Sequence, residues 1–219
     1  MVDLTLSLAP GTYGAENREG PGVTVSKRHG LHILHLAGDL SDTDFPTAAR
    51  HALGLPLPQL AGETRDGHGV RVLWLAPNRW LVVSGHKLET DAFGEKASVN
   101  DVGQGRSVLR LSGRSVRDLL CKGCPIDLDP QSFSAGHAAA TLLGHLNVVI
   151  DCIADDVFDL YVTRSFDHFI HDWLVRAGKE FGVSISATGS QRLKFEALGV
   201  SDRVGFRNKW AVTLGNFAL

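Results

Sequence analysis

Apolar and polar residues alternate in several short segments of the chain, and this pattern predicts strands. Leu34 and Leu36 alternate with His35 before a glycine, and Val108 to Leu111 repeat the pattern with Arg110 as the polar residue. A period of two is typical of a strand that buries one of its faces. We therefore predict one strand at each place, ending at Gly38 and at Gly113.

A short amphipathic helix is predicted after each of these strands. The first begins near Asp44, ends at Gly54 and has its apolar stripe at Phe45, Ala48, Ala49, Ala52 and Leu53. The second spans residues 114–122 and has its stripe at Val116, Leu119 and Leu120. Gly123 ends this helix, and Pro125 prevents it from continuing.

These two stretches form an internal repeat. A shift of 75 positions places Leu34 on Leu109 and Gly38 on Gly113. Two copies are too few for a solenoid, so the repeat indicates a duplicated β-α-β unit. We assign residues 28–96 to the first unit and residues 97–182 to the second.

Further strands follow in both units. Pro77-Asn78 separates apolar runs at 70–76 and 79–84, which predicts a hairpin. Gly144 and Asp155-Asp156 separate three runs in the second unit, at 138–143, 146–153 and 156–162. Each unit therefore has enough strands for an antiparallel sheet.

The last predicted element is a helix from Ser165, as N-cap, to Gly182. Its apolar stripe is Phe166, Phe169, Ile170, Trp173, Leu174 and Ala177, which puts His168 and His171 on the opposite, solvent or partner face. At the other end of the chain, residues 1–27 contain several glycines and scattered charge, which predict an extended N-terminal arm. Residues 183–219 read as an irregular C-terminal extension with apolar anchors.

Composition excludes several classes of protein. The 219 residues are 43% hydrophobic and have a formal charge of −2 with both signs interspersed, so no basic patch is available for nucleic acid or for a membrane surface. The apolar runs are too short for a membrane span, and without a charged and then apolar leader we expect no signal peptide. An odd number of cysteines without a secretory signal favours reduced thiols and a cytoplasmic location.

Candidate chemical groups are few. Cys121 and Cys124 form a C-x-x-C motif, but only Cys152 remains to complete a metal site, which favours core cysteines. His32 and His35 are three apart on a strand and therefore face opposite ways. Tryptophans are expected in the core or at an interface, and we predict interface positions for Trp74, Trp80, Trp210 and Phe217.

Several segments resemble the gamma subunit of heterotetrameric sarcosine oxidase. They are GRSVLRLSGRSVRDLLCKGCPIDL, TLLGHLNVVID and DVFDLYVTRSF, with LGLPLP and VLWLAPNRWLVV in the first unit, and together they span about residues 30–182. The resemblance implies an α+β fold of duplicated ferredoxin-like units with antiparallel sheets. This is the fold of the folate-binding aminomethyltransferases of the glycine cleavage system.

The same resemblance implies a role as one subunit of an enzyme complex. The partners would be alpha, beta and delta subunits, and FAD, FMN, NAD, zinc and tetrahydrofolate would be held by those other subunits. No catalytic residue, metal or cofactor is expected on this chain itself. The expected function is to support assembly of an enzyme that demethylates sarcosine, or another N-methyl amino acid, to yield glycine and methylene-tetrahydrofolate.

Asp127 is the one weak catalytic candidate. It matches an acidic residue that aminomethyltransferases place against folate, although Ile126 stands where those enzymes have asparagine. The alternative is that Asp127 caps a turn or the start of a helix. Two other functions stay open: a stand-alone folate-dependent aminomethyltransferase with Asp127 as its acid, and a ferredoxin-like module that binds an unrelated protein.

Overall fold

A computed structural model of the chain describes residues 9–16 and 18–186, which form two β-sheets with helices on their outer faces. The strands are β1 Gly11–Tyr13, β2 Val23–Arg28, β3 His32–Gly38, β4 Thr64–Gly67, β5 Val70–Ala76, β6 Arg79–Ser84, β7 Ala97–Asp101, β8 Arg106–Ser112, β9 Ala138–Leu143, β10 Leu146–Ala154, β11 Val157–Thr163 and β12 Val183–Ile185. The α-helices are α1 Asp44–Leu53, α2 Val116–Cys121 and α3 Asp167–Ala177. Short 3-10 turns lie at Thr90–Lys96, Gly103–Gly105 and Arg164–Phe166.

The elements stack in four layers, with the two sheets packed face to face between helices. One outer core joins α1 to the five-stranded sheet, for example through Phe45 and Trp80. The other joins α2 and α3 to the seven-stranded sheet, for example through Leu120 and Ile170. A third, smaller core lies between the sheets and includes Tyr161. Each sheet therefore buries both of its faces.

The predicted repeat is confirmed by the order of the strands. The five-stranded sheet runs β4-β5-β6-β3-β7, and the corresponding part of the seven-stranded sheet runs β9-β10-β11-β8-β2. In both sheets a strand leads through a helix into a three-stranded meander that returns to pair with it. The alternation of apolar residues thus identified two copies of one antiparallel α+β unit.

Each unit completes its sheet with a strand that belongs to the other half of the chain. Strand β2 directly precedes β3 but pairs with β8, and β7 directly precedes β8 but pairs with β3. Both pairings are antiparallel. We call this arrangement the strand exchange. Because of it, the predicted boundary between 96 and 97 does not separate two independent sheets.

The expectation of an extended arm at 1–27 is wrong for residues 23–27. Val23 and Val25 are buried, and β2 lies between β8 and β12 inside the seven-stranded sheet. The C-terminal extension likewise begins with a strand, because β12 pairs in parallel with β2. Two alternating apolar residues among glycines gave too weak a pattern to predict a strand.

The last helix is shorter than predicted, and only part of its predicted apolar stripe is buried. It ends at Ala177, with Gly178 after it, rather than at Gly182. Phe166 and Phe169 are 46% and 47% exposed, whereas His171 is 2% exposed. Ile170 and Leu174 are buried, and Trp173 and Ala177 pack against the same core, which confirms this part of the predicted stripe. The stripe is wrong at Phe166 and Phe169, and the polar residues Asp167 and His171 are buried instead.

The turns follow their sequence signals. Asn78 adopts a positive φ of 61° in the β5–β6 hairpin, and Gly54 ends α1 with a φ of 72°. Gly123 has a second role beyond ending α2, because a Cβ there would lie 2.4 Å from Cζ2 of Trp173. The glycine of the KGCPIDL segment therefore makes room for an indole of α3.

Candidate functional site

Asp127 lies on the surface, in the loop that follows α2. Its Oδ1 accepts a hydrogen bond from the backbone N–H of Asp129 at 3.0 Å, which is the geometry of an Asx turn. A hydrogen bond from the side chain of Ser132 and this backbone bond lower the pKa of Asp127 below its ordinary value. The exposed carboxylate thus stays ionised and holds a turn, which corresponds to the capping alternative.

The C-x-x-C motif does not bring two equivalent thiols together. Cys124 and Cys152 are buried, as expected for core cysteines, but Cys121 is exposed, so its expected core position is wrong. Burial raises the pKa of the Cys121 and Cys152 thiols, which keeps them protonated near neutral pH. In the described residues, no group of three or more His, Cys, Asp or Glu side chains could hold a metal ion.

The paired histidines serve separate contacts. His32 Nδ1 accepts the backbone N–H of Leu88 at 3.1 Å, while its Nε2 lies 3.3 Å from Oδ2 of Asp101. Burial, and secondarily the charge of Arg106, lowers the pKa of His35, which favours its neutral form. His171 is buried although it was predicted on the solvent face, so the second pair does not share a surface.

The predicted interface residues fall in different environments. Trp80 is fully buried within the chain, and its Nε1–H donates to the carbonyl of Pro58 at 2.8 Å, so its assignment to an interface is wrong. Trp74 is only partly buried and remains at the surface. Trp210 and Phe217 lie outside the described residues.

Trp74 borders an open groove between the two sheets. The groove encloses about 370 Å³ and is lined by Trp74 and Leu75 of β5, by Ile126 and Phe133 of the loop after α2, and by the start of β9. Among the described residues, His137 is the polar side chain of its lining, and the lining contains no carboxylate. This groove fits apolar side chains of a partner better than a charged ligand.

A buried ion pair fastens the sheets to each other. Arg71 of β5 donates from Nε and Nη2 to the two carboxylate oxygens of Asp151 of β10, at 2.7 and 2.6 Å. Asp151 is 0% exposed, and the cost of removing its carboxylate from water raises its pKa to about 6 even with Arg71 beside it. Arg71 also donates to the carbonyl of Cys152 at 3.2 Å. Arg71 Nη1 donates to Asp66 at 3.0 Å, so all three nitrogens of the guanidinium group are bonded within the chain.

A second buried carboxylate, Asp159, is held in the same space. Arg110 donates to it from Nε and Nη2 at 2.8 Å, and Arg28 donates from Nη1 at 2.6 Å. Asp159 pairs in register with Asp151 across β11 and β10, so the surrounding guanidinium groups offset the repulsion of two like charges. In the sequence, Asp151 and Asp159 are each recognisable as a charged residue within an otherwise apolar strand.

A third tie joins α3 to the seven-stranded sheet. Asp167 accepts hydrogen bonds from Lys27 Nζ at 2.6 Å and from Ser107 Oγ at 2.5 Å. Burial alone would raise the pKa of Asp167, but these two bonds outweigh it and hold the pKa below its ordinary value. His171 Nδ1 lies 2.8 Å from the carbonyl oxygen of Asp167. Ser107, His171 and Asp167 therefore do not form a catalytic triad, because the serine bonds the aspartate and not the histidine.

No helix of the described part is long and apolar enough to cross a membrane.

Sequence comparisons connect the chain to one family. A model described as the sarcosine oxidase, gamma subunit family matches residues 37–180. The sarcosine oxidase subunit gamma of Corynebacterium sp. strain U-96 is 30% identical over 198 residues, which cover 84% of this chain and 96% of that protein. The corresponding subunit of an Arthrobacter species is 34% identical over 164 residues, or 69% of this chain and 80% of that protein.

Structural comparisons agree with that relation. A chain of the heterotetrameric sarcosine oxidase from Corynebacterium sp. U-96, in complex with pyrrole 2-carboxylate, superimposes with a TM-score of 0.69 and 28% identity, covering 82% of this chain and 91% of that chain. The glycine cleavage system aminomethyltransferase T from Bartonella henselae has a TM-score of 0.57 at 14% identity, covering 76% of this chain and 48% of that chain. The second likeness concerns the fold alone, and it agrees with the fold class predicted from the sequence.

Proposed function

The chain belongs to the sarcosine oxidase gamma subunit family, and on that premise we propose that it serves as the gamma subunit of a heterotetrameric enzyme that oxidises sarcosine or a related N-methyl amino acid. The observation that carries the proposal is the match to a chain of a heterotetrameric sarcosine oxidase over 91% of that chain's length. A match of this extent relates whole subunits and not only a shared module.

The proposed role of the chain is structural. Its buried charged groups are engaged in internal pairs, as for Arg71 with Asp151 and Lys27 with Asp167. Within the part of the chain that the structure describes, the lining of its groove is apolar and contains no carboxylate, thiol or metal-ligand set. These features support packing against other subunits and stabilising the assembly, while chemistry takes place elsewhere in the complex.

In this proposal the partners are alpha, beta and delta subunits, located in the cytoplasm. FAD, FMN, NAD, zinc and tetrahydrofolate belong to those partners, and this chain binds none of them. The complex converts the N-methyl group of its substrate to methylene-tetrahydrofolate and releases glycine.

The experiment is expression of the four-subunit complex with and without this chain. We expect lower yield, lower thermal stability and lower turnover of sarcosine in its absence. The matched control adds the purified chain back to the three remaining subunits, which should restore all three quantities. Full yield, stability and turnover without the chain would contradict the proposal.

A second candidate is a stand-alone folate-dependent aminomethyltransferase that uses Asp127 as its acid. The likeness to aminomethyltransferase T favours it only at the level of fold, and this chain covers less than half of that enzyme. Asp127 itself is exposed and bonded within its own turn. Calorimetry of the purified chain with tetrahydrofolate separates the two: heat of binding that is lost in Asp127→Ala would favour the transferase.

A further inference from the structure

Strand β9 has an open outer edge. It ends the seven-stranded sheet, and among the strands of the described residues its neighbour in that sheet is β10. Leu143 pairs with Leu146 across a two-residue turn, so these two residues exchange their main-chain hydrogen bonds. Thr141 and Val148 form the next hydrogen-bonded pair of the same hairpin. Because the pattern alternates, the N–H and C=O groups of Ala140 and Leu142 point away from β10.

The start of this outer edge is already paired within the chain. The N–H of Ala138 donates to the carbonyl of Gly62 at 2.8 Å, and the N–H of Thr64 donates to the carbonyl of Gly136 at 2.8 Å. This bridge agrees with the alternation, since Ala138 is two residues from Ala140 and four from Leu142 and so directs its main-chain groups to the same side. It also shows that the edge can hold a second extended segment.

Beyond the bridge the edge is unpaired. Within residues 9–16 and 18–186, no backbone group bonds the outward N–H and C=O of Ala140 and Leu142. Ala140 is exposed and the side chain of Leu142 is 44% exposed. The N–H and C=O groups of Ala140 and Leu142 are therefore available to hydrogen-bond a second extended chain in register.

Strand β9 also lacks the features that keep an edge from pairing. The other edge strand of the same sheet, β1, has only three residues. In the five-stranded sheet, β4 has four residues including Arg65 and Asp66, and β7 ends in Asp101. By contrast, β9 is Ala-Ala-Ala-Thr-Leu-Leu, six residues without charge or proline. Short or charged edges resist pairing, and β9 has neither property.

The apolar groove opens onto this edge. Consecutive residues of a strand point to opposite faces, yet Ala138, Ala139 and Ala140 all line the groove, so it must run along the edge and not along one face. Trp74 of β5 and Ile126 of the loop after α2 also line it. A segment bonded to the edge would thus place alternate side chains against apolar walls. Charge in that segment is disfavoured, because no charged side chain of the lining could pair with it.

We propose that the outer edge of β9 binds an extended, uncharged strand of another subunit, which bonds the main chain of Ala140 and Leu142 and places apolar side chains in the groove beside Trp74. The proposal rests on the function proposed above and identifies the surface and the kind of partner. A second copy of this chain is the competing occupant, and the experiment distinguishes the two.

The experiment compares Ala140→Pro with Ala140→Ser in the full chain, co-expressed with the other three subunits. Proline removes one outward N–H and is tolerated at a strand edge, whereas serine keeps that N–H and is the matched control. We expect Ala140→Pro to weaken recovery of the chain on a tagged large subunit by about tenfold, and Ala140→Ser by less than about twofold. Unchanged thermal unfolding of the free variants checks their fold.

Hydrogen exchange of the wild-type chain gives a second measurement that needs no variant. The amides of Ala140 and Leu142 should exchange at least about tenfold more slowly in the assembled complex than in the free chain. Equal recovery of both variants with unchanged exchange would overturn the inference but leave the proposed function intact. A dimer of the free chain that Ala140→Pro dissociates would overturn it in favour of self-pairing. Failure of the wild-type chain to recover any partner would overturn the proposed function and this inference together.

Discussion

Substitution of Arg71 by methionine should strongly destabilise the protein at neutral and higher pH. The change removes the guanidinium group but retains much of the side-chain volume, so the buried carboxylate of Asp151 loses its partner. Removal of one member of a buried ion pair costs about 3–5 kcal/mol, since the remaining charge is uncompensated. We expect the free energy of unfolding of Arg71→Met to fall by about that amount.

The structure supports this magnitude and adds a dependence on pH. Arg71 donates two charge-assisted bonds to Asp151, and each such bond contributes about 1.5–3 kcal/mol. Burial already raises the pKa of Asp151 to about 6, above its ordinary value of 3.8, so the folded state binds the extra proton between these values. Loss of Arg71 raises this pKa further. The destabilisation should therefore be largest near pH 8 and smaller near pH 5, where Asp151 is protonated.

Urea unfolding of the purified chain at pH 8 and pH 5 measures both effects, provided that the slope of free energy against urea is unchanged. The control is Arg176→Met, which breaks an exposed pair with Asp172 and should leave the midpoint nearly unchanged. The double variant Arg71→Met/Asp151→Leu should recover most of the loss, because it removes both charges together. A loss below about 1 kcal/mol at pH 8, or an equal loss at both pH values, would refute this reasoning.

Three further predictions concern single residues. Gly123→Ala should lower the free energy of unfolding by about 1–3 kcal/mol in urea, because its Cβ meets the ring of Trp173, and adding Trp173→Leu should recover part of the loss. Asp127→Asn should leave the steady-state turnover of the assembled complex unchanged, since an amide oxygen also accepts the turn's hydrogen bond; a loss of turnover above tenfold would contradict the capping role. Asp167 contributes stability above its ordinary pKa of 3.8 that is lost as pH falls through its lowered folded pKa, so the urea midpoint of Asp167→Asn should fall less between pH 5 and pH 2 than that of the wild type.

Local patterns were sufficient to predict the repeated units but not the way they combine. Alternation and turn residues identified β3, β5, β6 and the meander of the second unit, because each of these strands is a short apolar run bounded by a turn. The same reasoning missed β2, because its short alternation forms a strand only through pairing with the distant strand β8. It placed Ile170 and Leu174 of α3 correctly in the core, but it missed that apolar Phe169 is exposed while polar His171 is buried.

The candidate site shows the same limit. The sequence predicted an interface position for Trp74, and the structure places this residue beside the groove. Pairing of Arg71 with Asp151 joins residues 80 positions apart, and no local pattern specifies such a contact. The six uncharged residues of β9 do not show by themselves whether the strand lies inside a sheet or at its edge. The open edge could therefore be identified only from the order of the strands.

The strand exchange has a consequence for how the chain is made. As synthesis proceeds from the N-terminus, β2 emerges long before β8, the strand with which it pairs antiparallel, and the five-stranded sheet stays incomplete until β7 is made. Closing such distant contacts carries an entropic cost and slows folding. Neither half can mature on its own while it waits, and a fragment cut between β6 and β7 should expose unpaired strand edges. Nascent chains of this protein are therefore expected to need protection from aggregation until the second unit has left the ribosome.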